Sequence, residues 1–182
     1  MTDYIRSEAS MSLDGVYRWS LTRQWAVGPK GIMPPQLGFV MLNPSTADSE
    51  NDDPTIRRCV GFAKREGFGS IMVVNLYAMR ATRPKHLRDI RDPEGWGNLH
   101  AWQSLPRHVV LAYGAGASSG LPASKANRWL QMEESGRALY CLGTTKEGYP
   151  RHPLYARADE PLLRWPSLKP AQLSIDLTGD HG

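Results

Sequence analysis

The chain has 182 residues, 41% of them apolar, and a formal charge of +4. That length and apolar content suit one folded domain with a real core and exclude a disordered chain. The mild basic excess suits a nucleic-acid or phosphate partner without demanding one, two cysteines are too few for a disulfide framework or a four-cysteine metal site, and no apolar run is long enough to span a membrane.

Taken in chain order, residues 1–27 read as β, with Asp14-Gly15 as a turn and residues 16–23 alternating enough for a strand. An apolar run over 37–42 then stops at Asn43-Pro44. Proline lacks the ladder donor and turns the residue before it away from helix, so Asn43 falls at the carboxyl end of a buried strand. Asp53 is a good N-cap and Pro54 a good first helical residue. Ile56, Cys59, Val60 and Ala63 follow at helical spacing, and Gly67 can close the helix. The polar side carries Arg57, Arg58, Lys64 and Arg65, which read as a solvated face; Arg57 and Arg58 also lie near enough to the strand end to meet a phosphate.

Residues 70–77 form a second buried strand, ending at Asn75, with a continuous apolar run that suits a parallel strand covered on both faces. A basic segment with Arg80, Arg83 and Lys85 follows, then a helix suggested by Trp96, Leu99, His100 and Trp102. The third strand, 108–113, runs into a glycine-rich loop, 114–120, and a helix over about 124–134. The loop lacks the spacing of a dinucleotide fingerprint and reads as a tight turn that could also hold a phosphate on its amides. A fourth strand, 138–142, leads to a Pro-flanked His152. Leu162, Leu163 and Trp165 suggest a short last helix, and the tail 166–182 reads as loosely packed.

This alternation predicts one α/β domain with its core at about 12–165: a three-layer α/β/α sandwich with a mostly parallel central sheet of about four strands, plus an N-terminal β segment. Cys59 and Cys141 read as reduced core residues of a cytoplasmic protein, and the start of the chain lacks a signal-peptide apolar region. Strand-to-helix connections bring Asn43, Asn75, the Gly114 loop and His152 to one sheet edge, where ligands bind in open α/β sheets. Neither asparagine is a strong base, yet both can orient a water or read an amide-like edge. A histidine can stabilise a developing anion. No serine sits on a nucleophile elbow, and the five histidines lack metal-ligand spacing, so neither a metal nor a cofactor is expected.

Met41-Leu42-Asn43-Pro44-Ser45 resembles the first active-site motif of the uracil-DNA glycosylase superfamily, in the branch with Asn-Pro at the catalytic position. Val73-Val74-Asn75-Leu76-Tyr77 resembles the strand whose terminal asparagine reads the base there, and His152-Pro153-Leu154-Tyr155 resembles the second, His-Pro motif. Most of residues 12–160 further resembles an uncharacterised bacterial and phage-associated family of the DUF1643 type. It carries Leu-Asn-Pro-Ser-Thr-Ala, Asp-Asp-Pro-Thr and Arg-His-Pro-Leu-Tyr.

The glycosylase resemblance implies hydrolysis of the N-glycosidic bond of a flipped nucleotide, leaving an abasic site. Asn43 would position the water, with Asp48, Asp52 or Asp53 near enough in sequence to assist; among these Asp48 is the favoured acid and Asp53 the natural cap. His152 would stabilise the leaving base, and Asn75, with Pro44 and Ser45, would bind it. Phe62, Tyr77 or Tyr149 would stack on it. Arg57, Arg58, Arg80, Arg83, Lys85 and Arg151 would hold phosphates, and Leu154 or Tyr155 would fill the gap in the stack. The first motif lacks an aspartate at position 43, and Leu154-Tyr155 replaces the Ser-Pro that follows His-Pro. Tyr77 and Arg80 differ from a small uracil pocket, which points to a modified pyrimidine, such as one in hypermodified phage DNA, and to a role in antiviral defence. The expected partner is DNA, engaged by a monomer. The rival readings are a nucleotide- or nucleoside-processing enzyme and a non-catalytic nucleic-acid-binding module.

Overall fold

The computed structural model describes residues 4–28, 32, 34–82, 87, 90–115, 132 and 135–165. One sheet holds β1 (Arg6–Met11), β2 (Arg18–Gln24), β3 (Gln36–Met41), β4 (Ser70–Asn75), β5 (His108–Leu111), β6 (Ala138–Cys141) and β7 (Leu163–Arg164). Its spatial order is β1-β2-β4-β3-β5-β6-β7. The neighbours β4, β3, β5 and β6 run parallel. The pairs β1–β2, β2–β4 and β6–β7 are antiparallel.

This corrects the expected architecture. The sheet is mixed and has seven strands, not a mostly parallel sheet of about four, and the described helices do not form two full layers over it. They are α1 (Pro54–Arg65), of 12 residues, and α2 (Asn98–Gln103), of 6. The physical reason lies in the outer strands. β1 has the sequence RSEASM and alternates between exposed and half-buried, so it carries no apolar period to read. β2 buries Arg18, Arg23 and Gln24, which breaks the usual strand pattern. The last segment is a two-residue strand with exposed residues, not the helix suggested by Leu162, Leu163 and Trp165. Backbone pairing to β6 decides it, and Trp165 is anchored by its N–H to the Leu139 carbonyl at 2.9 Å. The glycine-rich loop beyond Ala115, most of the helix expected over 124–134 and the tail lie outside the described residues, as do Arg83 and Lys85.

The two faces of the sheet carry separate cores. Ile71 and Val73 of β4 join Phe39, Met41 and the α1 residues Ile56, Cys59, Val60, Phe62 and Ala63. Met72 and Val74 point the other way and join Ala101, Trp102 and Leu105 beside α2. This is the period-two alternation of a strand buried on both sides. The α1 start follows its sequence signals: the Asp53 carboxylate accepts from the Ile56 N–H at 2.9 Å and Pro54 opens the helix. At the other end Gly67 takes φ +80°, the Phe68 N–H reaches the Ala63 carbonyl and the Gly67 N–H the Lys64 carbonyl, a glycine-dependent helix stop. Capped at this point, α1 starts directly over the carboxyl edge of β3 and β4.

Candidate functional site

A cavity of about 660 Å³ opens at that edge, walled by the ends of β3, β4 and β5, the start of α1 and the loop around His152. Asn43, Asn75, Gly114 and His152, which the sequence placed on one edge, all line it. Ser45, Arg151, Leu154 and Tyr155 line it as well.

Asn43 is held by its nitrogen. Nδ2 donates to the Ala81 carbonyl at 2.6 Å and to the Pro44 carbonyl at 3.0 Å. Both partners are acceptors, so the NH₂ must face them and Oδ1 is left for the cavity. Asn75 behaves differently. It closes β4 and is 1% exposed, yet neither Oδ1 nor Nδ2 has a partner in the described protein. Buried side-chain amides are normally hydrogen-bonded, which sets Asn75 apart among the residues of the cavity wall.

His152 caps a 3-10 turn, Pro153–Tyr155. Its Nδ1 accepts from the Leu154 N–H at 3.3 Å, which leaves Nε2 as the protonated nitrogen of a neutral ring. Burial lowers the His152 pKa below the ordinary value, against a smaller upward pull from Asp53. The loop is tied to α1 by Arg58, whose Nη2 donates to the Ala156 carbonyl and whose Nε reaches the Pro153 carbonyl at 3.4 Å. Gly114 takes φ +68°, and a Cβ there would stand 3.3 Å from His152 Cβ, so glycine permits both the turn and the approach.

The other expected site residues are placed as follows. Asp48 turns its own loop, its Oδ1 accepting from the N–H groups of Glu50 at 2.9 Å and Asn51 at 2.8 Å. These bonds hold its pKa low, and it does not line the cavity. Asp52 accepts from Arg23 Nε at 2.9 Å. Phe62 is 2% exposed in the α1 core, with Arg58 and Arg65 over its ring. Pro44 is buried, Tyr77 half-buried, and neither lines the cavity; nor does Tyr149. Arg57 donates to the Asp52 carbonyl at 2.6 Å. Arg80 reaches the Ser45, Thr46 and Gly15 carbonyls at 3.2, 3.4 and 3.5 Å, bracing the 43–47 loop. Arg151 donates to the Thr144 carbonyl at 2.9 Å and lies 3.7 Å from Glu160.

The sequence reading of the site left out Tyr113 and Arg18, among other lining residues, and offered Asp53 only as one of three acids near enough in sequence to assist Asn43. Tyr113, whose phenol is pushed up by burial, stands at the end of the third strand as Asn43 and Asn75 do at theirs, a positional signal that was available. Asp53 was legible as a cap, but it also lines the cavity; one oxygen caps Ile56 and the other has no donor among the described residues. Arg18 had no local signal. In β1–β2, Ser10 faces Ser20 while Met11 faces Arg18, so Trp19 is an extra, bulged residue. Trp19 packs on the α2 side and Leu21 on the α1 side. The bulge thus returns Arg18 to the α1 side, as bulges re-aim side chains near sites. There Nη1 donates to the Ala47 carbonyl at 2.8 Å. Burial pushes the guanidinium down to about 10, the Asp53 charge opposing that shift.

Among the described residues no cluster of three or more His, Cys, Asp or Glu could hold a metal ion, and no helix is long and apolar enough to cross a membrane. No curated protein and no solved structure matches the chain. The family described as "Protein of unknown function (DUF1643)" matches residues 18–154, from Arg18 to Leu154, and the chain belongs to it.

Proposed function

We propose that this DUF1643 protein is a monofunctional DNA glycosylase that hydrolyses the N-glycosidic bond of a pyrimidine flipped out of DNA. The observation that carries this reading is Asn75: a buried amide with both polar atoms unpartnered, on the wall of a cavity that also receives Asn43 Oδ1 and His152. An amide offers one donor and one acceptor side by side, which matches the edge of a base. The motif resemblance around Asn43, Asn75 and His152 supports the same assignment.

In this reading the base enters edge-first toward Asn75. Asn43 Oδ1 accepts a hydrogen bond from a water, which attacks C1′ as the bond from C1′ to the base nitrogen breaks. The electron pair leaves with the base. The neutral His152 donates from Nε2 to the oxygen on which that charge develops, a stabilisation that needs no proton transfer. The free oxygen of Asp53 takes the water proton. Asp53, not Asp48, fills this role because it is the acid on the cavity wall.

A volume of about 660 Å³ lies in the range of sites for drug-sized ligands, roomier than a bare pyrimidine needs, so a bulky modified base, as in hypermodified phage DNA, is the favoured target. Tyr155, 79% exposed, and Leu154, 43% exposed, stand on the rim where the flipped nucleotide leaves the stack. Arg57, Arg80 and Arg151 keep guanidinium donors beyond those bound to carbonyls and can meet phosphates.

The test incubates the protein and Asn43→Ala with DNA carrying uracil, thymine mismatches, or hydroxymethylated or glucosylated cytosine, followed by alkali. Strand breaks with the wild type that vanish with Asn43→Ala support the reading, and the responding DNA identifies the base. Efficient release of plain uracil alone would overturn the modified-base assignment. No breaks on any DNA would overturn the glycosylase.

A further inference from the structure

The Arg18 guanidinium is an unusual group to find inside this fold. The residue is 2% exposed, and its Nε is fully buried without a partner. The one hydrogen bond of its guanidinium to a described residue goes to the neutral Ala47 carbonyl. No carboxylate among the described residues lies within ion-pairing distance of it. A buried cation is ordinarily paired, because its desolvation is otherwise uncompensated. Asp53 supplies charge from nearby but spends one oxygen on the Ile56 N–H. Arg18 reaches this position only because a bulge at Trp19 re-aims it, and the position faces the cavity.

The strand register sharpens the picture. Ser20 stands opposite Val74, so regular pairing would set Trp19 opposite Asn75. With Trp19 bulged to the α2 side, Arg18 returns to the α1 side past the end of β4, its backbone N–H on the Ala78 carbonyl at 2.9 Å. One cavity wall therefore carries both an unpaired cation and an unpaired amide.

We propose that Arg18 is the anion-binding residue of this cavity and holds a phosphate oxygen of the nucleotide whose base meets Asn75. The proposal rests on the cavity being a nucleotide site, not on bond hydrolysis. The phosphate has two possible sources, the terminal phosphate of a free nucleotide or an internucleotide phosphate of a DNA strand.

The test measures binding by calorimetry to thymidine, thymidine monophosphate, a thymidine trinucleotide and the same trinucleotide with uncharged methylphosphonate linkages. The variants are Arg18→Met and Arg18→Lys. A charge-assisted bond to a buried guanidinium should make the wild type bind the anionic member of a pair about tenfold more tightly or better. Arg18→Met should erase that preference while keeping the affinity for the neutral member, and Arg18→Lys should restore part of it. An Arg18-dependent preference for the monophosphate assigns the terminal phosphate. One confined to the charged trinucleotide assigns the strand. A wild type that binds neutral and charged members alike, or binds none of the four, overturns the proposal without recourse to any variant. Base excision from DNA without an Arg18-dependent preference would sink this proposal and leave the glycosylase standing; the preference without excision would do the reverse.

Discussion

The Asn43 amide nitrogen donates to the Ala81 carbonyl at 2.6 Å, tying the end of β3 to the chain that leaves β4. With Pro44 as its second acceptor, Asn43 can present only its oxygen to the cavity. Arg80 braces the same loop from the other side. The orientation of the Asn43 amide is thus a property of the backbone around it, not of the asparagine alone.

One consequence concerns Asn43→Asp. An aspartate would set a carboxylate oxygen against two carbonyls, so the substitution should destabilise the fold by about 1–3 kcal/mol and fail to create a working general base. Asn43→Ala should abolish base release at a smaller stability loss. Urea unfolding beside the alkali-cleavage assay checks both. An active Asn43→Asp of native stability would contradict the geometry.

Asp53 holds two roles that substitution can separate. Asparagine caps helices about as well as aspartate, so Asp53→Asn should keep the cap and lose only the stability that the Asp53 charge lends the buried Arg18 guanidinium. It removes the negative oxygen, however, and should slow base release by about 10²–10⁴-fold. Asp53→Ala should lose both, with about 1 kcal/mol of stability gone. Single-turnover rates set against urea midpoints distinguish a cap from a base.

His152 titrates below the usual 6.5 because of burial. The unfolded chain therefore takes up this proton at higher pH than the folded one. The stability linked to it is fully present above about pH 6.5 and is lost as pH falls through that value toward the folded pKa. Protonating Nδ1 also removes the acceptor used by the Leu154 N–H, so activity should fall over the same range. His152→Gln should flatten this part of the stability profile, as read from urea midpoints at about pH 5.5 and 7.5.

Gly114→Ala tests the approach of two loops. Alanine would have to hold φ +68° and place its Cβ 3.3 Å from His152 Cβ. The left-handed backbone alone costs about 1–2 kcal/mol, and relief by shifting His152 should also reduce activity. A variant with wild-type rates and midpoint would show that the turn does not position the histidine.

Much of the site was legible because the signals are local. Asn43-Pro44 ends a strand, Asp53-Pro54 opens a helix and the apolar runs of β3, β4 and β5 mark their own burial, all through steric and hydrogen-bonding rules acting within a few residues. Together these brought Asn43, Asn75 and His152 to one edge. The extent of the sheet was not legible in the same way. β1 and β7 exist by pairing with β2 and β6, and backbone pairing leaves little trace in side-chain pattern. Arg58 and Arg80 read as cations for phosphates because only folding brings the carbonyls of Ala156 and Ser45 to them. Arg18 is the clearest case. Composition makes it one charge among many, and only the bulge opposite Ser10 and Met11, a register decided between two strands, turns it into the cavity. What the sequence determined by itself was where elements start and stop and which residues end them. What the tertiary structure alone decided was which polar groups find partners and which are left facing the cavity, because hydrogen-bond satisfaction depends on groups far apart in the chain.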